Sequence, residues 1–235
     1  MKYPLVSVVV PAYNEEKYLP QVLPAIKKQT YPNFEIIVID NNSTDKTSEV
    51  ARKYADRVVF ESEQGMIPAR QRGFLEARGE IIARTDADTI PSENWLMEFY
   101  KVFEKNPSVV AVTGPARYID AGKLTNILSF YGFTIALYVS RILMGHHQLN
   151  GPNFAVRAEI AKKVKPHMND KDVHEDMDLS CHISCYGDIV YLPHLAMRSS
   201  ARRFKNSPLS FFEYAYRSIK TILLHHPSHK WHKVE

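Results

Sequence analysis

A chain of 235 residues is long enough for one large domain or two small ones. It is 45% hydrophobic and 24% charged, ordinary globular usage that excludes disorder and a collagen-like repeat. The formal net charge of +4 is unevenly spread: from Arg198 onward eight Lys/Arg face only Glu213 and Glu235, so this tail is +6 and the remainder −2. Such a tail suits a phosphate-bearing or anionic-membrane partner, or simply a solvated basic helix.

Met1 and Lys2 lead straight into a short strand-like segment, so no signal peptide is read. No uninterrupted apolar run reaches the roughly 20 residues of a spanning helix. Cys181 and Cys185 make no disulfide framework and supply too few ligands for a structural zinc site, which fits a reducing cytoplasm. The expectation is a soluble cytoplasmic α/β protein, with both cysteines packed in the core.

Val6–Val10 is a continuous β-branched run, the pattern of a strand buried on both faces. Tyr18, Leu19, Val22, Leu23 and Ile26 then recur at helical spacing, with Pro24 expected to kink or shorten that helix. Phe34–Ile39 predicts a second buried strand ending at Asp40. A helix follows over Thr44–Ala55, with Ser43 or Thr44 as its cap. Next come a strand at Arg57–Phe60, a helix near Ile67–Ala77 closed by Gly79, and a strand at Glu80–Ala83. That strand runs directly into Thr85-Asp86-Ala87-Asp88-Thr89. Ser92 is the expected cap of a helix at Glu93–Glu104, and Val109–Thr113 is a fifth strand. Strands separated by helices of this length predict a doubly wound, mostly parallel sheet with helices on both faces. Polar clusters fall at the carboxyl ends of its strands, the edge where such sheets bind ligands.

The second half is less regular. Ile127–Met144 reads as a buried helix or the wall of an acceptor cleft, or else as an interfacial membrane helix. Asn150-Gly151-Pro152-Asn153 precedes a short strand, His174–Leu179 opens a helix, Asp188–Leu192 is a strand, and Ser210–Leu224 is amphipathic. With no repeat and no low-complexity linker, residues 1–235 are expected to form one domain. Its parts are a nucleotide half to about residue 115, an acceptor half over about 116–200, and a basic segment from about 201.

Asp86 and Asp88, two apart on a turn after a strand, can both aim at one hard cation, Mg²⁺ or Mn²⁺, whose other ligands are phosphate and water. By itself Asp-x-Asp is ordinary turn chemistry. Its neighbours make it more. Val8-Val9-Val10-Pro11-Ala12-Tyr13-Asn14-Glu15, Ile37–Asp45, Gly65 with Ala69–Gly73, Thr85–Asp88, Gly151–Arg157 and Glu175–Ser180 occur in order. Together they resemble the motifs of family 2 glycosyltransferases of the GT-A fold, across about residues 5 to 195.

The resemblance implies an inverting sugar transfer from a nucleotide-diphosphate donor, UDP- or GDP-linked, to a saccharide or lipid-linked saccharide hydroxyl. Pro11, Ala12, Tyr13 and Glu15 would line the nucleotide pocket, and Asp40 would accept from the base. Arg70 would lie near the base or diphosphate, and Asp86 near the ribose or the metal's waters. Asp88 would ligate Mn²⁺ or Mg²⁺, and Asp176 would be the general base, its anion favoured by the start of a helix. No nucleic-acid partner is expected; peripheral contact with the inner face of an anionic membrane is. The absent Gln-x-x-Arg-Trp motif argues for single transfers over polymerisation.

Other readings stand beside these. Asp40 and Asn153 suit turns, Glu175 and Asp178 suit first-turn helix charges, and His182 stands where relatives often carry Arg. His194 is a candidate third metal ligand or an ordinary surface or core histidine, and His225, His226, His229 and His232 read as solvated. Arg202, Arg203 and Phe204 are candidates to close over the diphosphate. A non-catalytic sugar-nucleotide-binding subunit is the alternative function. A sugar-1-phosphate nucleotidyltransferase is disfavoured by the missing Gly-rich amino-terminal loop.

Overall fold

The computed structural model describes residues 3–118, 120, 122–164, 167, 173–202 and 210–225. In chain order the elements are β1 (Val6–Ala12), α1 (Leu19–Lys27), β2 (Phe34–Asp40), α2 (Thr47–Arg52), β3 (Arg57–Phe60) and α3 (Met66–Glu76). Then come β4 (Ile81–Arg84), β5 (Thr89–Ile90), α4 (Trp95–Lys105), β6 (Val109–Thr113), β7 (Ala116–Tyr118) and α5 (Lys123–Met144). β8 (Phe154–Arg157), α6 (Ala158–Lys163), α7 (Glu175–Ser184), β9 (Asp188–Tyr191), β10 (Met197–Ser199) and α8 (Ser210–His225) complete the described chain.

Seven strands form one sheet in the order β3-β2-β1-β4-β8-β6-β9. β8 pairs antiparallel with both neighbours, and the other pairings are parallel. The β-branched runs behave as their pattern predicts. Val6, Val8 and Val10 face one core layer with Ile36 and Val38, beneath α1 and α4; Val9, Ile37 and Ile39 face the other, beneath α3, α6 and α7. Each such side chain taken fully out of water contributes roughly 1.5–3 kcal/mol. Helix α3 lies so close to the sheet that a Cβ on Gly73 would stand 2.2 Å from Val9 Cγ1.

Several sequence-based boundaries move, each for a local reason. α2 begins at Thr47, because the Ser43 hydroxyl accepts from Asn14 N and Thr44 donates to Asn14 Oδ1, joining the loops after β1 and β2. α4 begins at Trp95; Ser92 contributes its carbonyl, which takes Gln29 Nε2 at 2.7 Å, and no side-chain cap. α1 runs through Pro24 and ends at Lys27. Cys181 is buried, but Cys185 is exposed and does not pack in the core.

α5 departs most from expectation. It is 22 residues long and is not a buried helix: Ile127, Tyr131, Ile135, Tyr138, Val139, Ile142 and Leu143 are exposed, while Leu137, Ser140 and Met144 are buried. No described helix is long and apolar enough to cross a membrane. Its carboxyl end is anchored where Tyr138 meets Tyr191 edge-on and His147 stacks on Tyr191 at 5.5 Å. Burial lowers the pKa of both His146 and His147. The unfolded chain therefore takes up protons first as pH falls below about 6.5, so stability is lost from there until the folded-state values are passed. Hydrogen exchange in residues 141–149, corrected for intrinsic rates, should be faster at pH 5.5 than at 7.5; equal protection would contradict this.

Asn153, whose sequence context suits a turn, does close the turn begun at Asn150, and its side chain is fully buried. It accepts from Trp95 Nε1 at 2.9 Å and donates to the carbonyls of Pro115 and Leu195 at 2.9 and 2.7 Å. Asn153→Ala strands these partners without water, an expected loss of about 3 kcal/mol in urea unfolding. An unchanged midpoint would show that the site relaxes around the gap.

Candidate active site

The register of the sheet brings the motifs to one edge. Ala12 pairs with Asp40 and Val9 with Arg84, so the carboxyl ends of β1, β2 and β4 open side by side. β8 runs the opposite way, and its first residue, Phe154, pairs with Arg84 and Thr113. The Asn150–Asn153 turn therefore enters at that same edge.

Asp176 lies at the first turn of α7, is buried, and sits on the floor of a cleft lined also by Arg84, Asp86, Gly151, Glu175 and Arg217. Its Oδ1 accepts from Arg70 at 3.1 Å and from Arg84 at 3.3 Å, and its Oδ2 accepts from the Gly151 backbone N at 3.1 Å. Gly151 permits this approach, since a Cβ there would lie 2.4 Å from Arg84 Nη1 and 2.6 Å from Asp176 Oδ2. Of the ~four acceptor directions of a carboxylate, three are used by these donors among the described residues, leaving one on Oδ2.

Arg84 joins two of the carboxylates that line the cleft. One guanidinium nitrogen holds Asp176 and another holds Asp86 Oδ1 at 2.9 Å, while the group lies 5.9 Å from the Phe154 ring centroid. Nothing in the sequence singled it out. A lone cation ending an apolar strand just before Asp-x-Asp was the available signal.

The acidic groups are crowded. Burial raises the Asp86 pKa to about 6; Arg84 opposes the rise, and Asp88, Asp176 and Glu175 add to it. Asp88 and Glu15 are also raised, chiefly by burial, with Arg202 opposing. Arg202 Nε meets Asp88 Oδ2 at 2.9 Å, another of its nitrogens bonds Glu15 Oε1, and its guanidinium lies 4.4 Å from the Tyr18 ring centroid. The small sheet β5-β10-β7 explains this meeting: Ser199 pairs with Thr89, which brings the chain after β10 back over Asp88. Arg203 and Phe204 lie outside the described residues, as do His226, His229 and His232. Two carboxylates two residues apart, both held above their ordinary pKa chiefly by burial, are a donor set that fits a hard divalent cation.

Pro11 and Ala12 end β1, Ala12 buried, and Tyr13 is exposed at the edge. Asp40 is buried, and its Oδ1 accepts from Ser43 N at 3.1 Å, so one oxygen shapes the turn. Arg70 is buried with its guanidinium on Asp176. His194 is an exposed side chain pairing with Glu98 on α4. Asp178 stands in the first turn of α7 but is buried, and His225, read as solvated, is buried against it. α8 also fixes the loop entering α7, through Arg217 to the Val173 carbonyl and Thr221 Oγ1 accepting from His174 N at 2.8 Å.

Known proteins resemble this chain in sequence and in fold. The chain is 34% identical over 119 residues to glycosyltransferase AglE of Haloferax volcanii, covering 47% of this chain and 37% of that protein. It is 28% identical over 197 residues to probable glycosyltransferase YdaM of Bacillus subtilis, covering 77% of this chain and 46% of that one. The chain thus spans less than half the length of these two relatives. Among solved structures, the mannosyltransferase PcManGT from Pyrobaculum calidifontis, in complex with GDP-Man and Mn²⁺, superposes with a TM-score of 0.68 at 25% identity. That match covers 85% of this chain and 58% of PcManGT, and the shared mostly parallel sheet flanked by helices is the GT-A fold. The glycosyl transferase family 2 profile matches residues 7–165, and the chain belongs to that family.

Proposed function

We propose that this chain carries the active site of an inverting, metal-dependent glycosyltransferase that moves a sugar from a UDP- or GDP-linked donor to a saccharide hydroxyl. The observation that carries this reading is Arg84, which joins Asp86, on the donor side, to Asp176 in one continuous cleft. Asp86 and Asp88 would hold Mn²⁺ or Mg²⁺, which supplies charge neutralisation to the departing diphosphate. PcManGT, solved with GDP-Man and Mn²⁺, supports both donor class and metal.

Asp176 is the general base in this reading. Its open Oδ2 direction takes the acceptor hydroxyl's proton as that oxygen attacks the anomeric carbon. The bond from that carbon to the diphosphate oxygen breaks, and the nucleoside diphosphate leaves with the electron pair. Pro11, Ala12, Tyr13 and Asp40 line the nucleotide end. Arg202, now on Asp88 and Glu15, turns to the diphosphate when donor and metal arrive. Arg70 acts on Asp176, holding the base in place, rather than on the nucleotide.

Turnover tests the reading. The isolated protein, given UDP- and GDP-sugars with Mn²⁺, should release nucleoside diphosphate, and Asp88→Asn should abolish the release. Donor binding without any release, with acceptors supplied, would favour the non-catalytic subunit.

The acceptor is proposed to be lipid-linked. The apolar side chains left exposed on α5, Ile135 at 62% and Ile142 at 81%, and on α8, Tyr216, Ile219 and Leu223, suit the surface of a bilayer. The basic tail suits its anionic headgroups. Co-sedimentation with anionic liposomes at low salt is expected, and Ile135→Asp with Ile142→Asp should remove most of it; no co-sedimentation of the unaltered chain would contradict membrane contact.

A further inference from the structure

Two residues beyond Asp176 the same helix carries a second polar centre. Asp178, His182, His167 and His225 offer four ligand atoms that all lie within 4.8 Å of one another. Asp178 Oδ1 is 2.6 Å from His225 Nε2, 2.8 Å from His167 Nδ1 and 3.6 Å from His182 Nε2. The three imidazoles stand in a near-equilateral triangle, their centroids 5.4, 5.4 and 5.5 Å apart. Their planes are splayed by 54°, 73° and 83°, so ring nitrogens from three directions converge on one point.

We propose that these four side chains form a structural zinc site. Two ring nitrogens take both lone pairs of Asp178 Oδ1, at 2.6 and 2.8 Å, and a third, His182 Nε2, stands 3.6 Å from the same oxygen, beyond hydrogen-bond reach. A cation at their centre instead takes one lone pair from each imidazole and one from the carboxylate. Three imidazole nitrogens and one carboxylate oxygen are borderline ligands that suit Zn²⁺ in tetrahedral coordination, whereas Mg²⁺ and Mn²⁺ prefer all-oxygen shells. Zn–N bonds of ~2.0–2.1 Å place tetrahedral ligand atoms about 3.4 Å apart, within the range these atoms already span. Four protein ligands close the shell, the mark of a structural rather than a catalytic ion.

The ligands come from three parts of the chain. Asp178 and His182 share one face of α7 at i and i+4, His225 ends α8, and His167 precedes α7. Asp176, two residues earlier, points to the opposite side of the helix, into the cleft with Arg70 and Arg84. The ion therefore pins α8 to the helix that carries Asp176, beside the Arg217 and Thr221 contacts that fix the entry to α7.

The test uses the full 235-residue chain without a histidine tag. After stripping with chelator, reloading with Zn²⁺ and gel filtration, elemental analysis should find about one zinc per chain. The thermal midpoint should rise by several degrees on loading. Co²⁺ in place of Zn²⁺ should give the intense visible bands of tetrahedral coordination. His182→Ala and His225→Ala should each lose the retained zinc, whereas Asp86→Asn and Asp88→Asn should keep it. Absence of retained zinc, weak octahedral-type Co²⁺ bands, or zinc unchanged in both histidine variants would overturn the proposal. The Co²⁺ spectrum of the unaltered chain decides even if the variants fail to fold.

Discussion

Asp176→Asn should lower the turnover number by about 10³-fold or more while leaving the affinity for nucleoside diphosphate within roughly twofold. Asparagine has nearly the shape of aspartate and keeps an oxygen for the Gly151 N–H, but it has no basic carboxylate to take a proton. The residues proposed to bind the donor, on β1, β2 and at Asp86–Asp88, are not changed by the substitution. The substitution has a structural cost as well. Asp176 balances Arg70 and Arg84, both buried, and weakening that network should destabilise the fold by up to about 3 kcal/mol. Circular dichroism and a melting curve must therefore accompany the kinetics. Asp176→Glu keeps the charge but shifts the carboxylate by one methylene, and it should retain stability better than activity. Unchanged turnover in a folded Asp176→Asn protein would remove Asp176 from the mechanism.

Arg84→Met should be the most damaging change outside the carboxylates. Methionine fills much of the volume but removes the charge that Asp86 and Asp176 share. Breaking a buried ion network by deleting one partner typically costs about 3–5 kcal/mol, because the remaining charges stay dehydrated and unbalanced. Of the groups acting on Asp86, Arg84 is the main one opposing its rise to about 6, so the carboxyl should climb further in the variant. Turnover should fall at least ~100-fold, since the base loses its fixed position. Arg84→Lys should rescue little, because one ammonium does not reproduce the fork that reaches both carboxylates. A variant with normal stability and turnover would show that Arg84 is only a core residue.

The parts of the fold that were readable from sequence are those where one local rule governs. The β-branched runs of β1 and β2 announced strands buried on both faces, and the polar residues after them do gather at one edge of the sheet. What was not readable depends on residues brought together from far apart. Arg202 reaches Glu15 across 187 positions, through a two-residue strand that no pattern reveals. Ser43 and Thr44 resembled helix caps because no sequence rule shows Asn14 claiming them first. Asp178 and His182 showed only as first-turn charge and departed consensus, and His225 as one of several scattered histidines. Their convergence needs α8 folded back on α7. α5 misled in the opposite direction, since many of its apolar residues, among them Ile127, Ile135 and Ile142, are exposed.

The most direct single measurement is calorimetric titration of the protein with UDP and with GDP, each with and without Mn²⁺, repeated on Asp88→Asn. The expected result is saturable binding of one of the two nucleotides that requires Mn²⁺ and weakens at least ~10-fold in the variant. Failure of a folded protein to bind either nucleotide, or binding indifferent to both metal and Asp88, would contradict a metal-dependent nucleotide-sugar site at the carboxyl edge of this sheet.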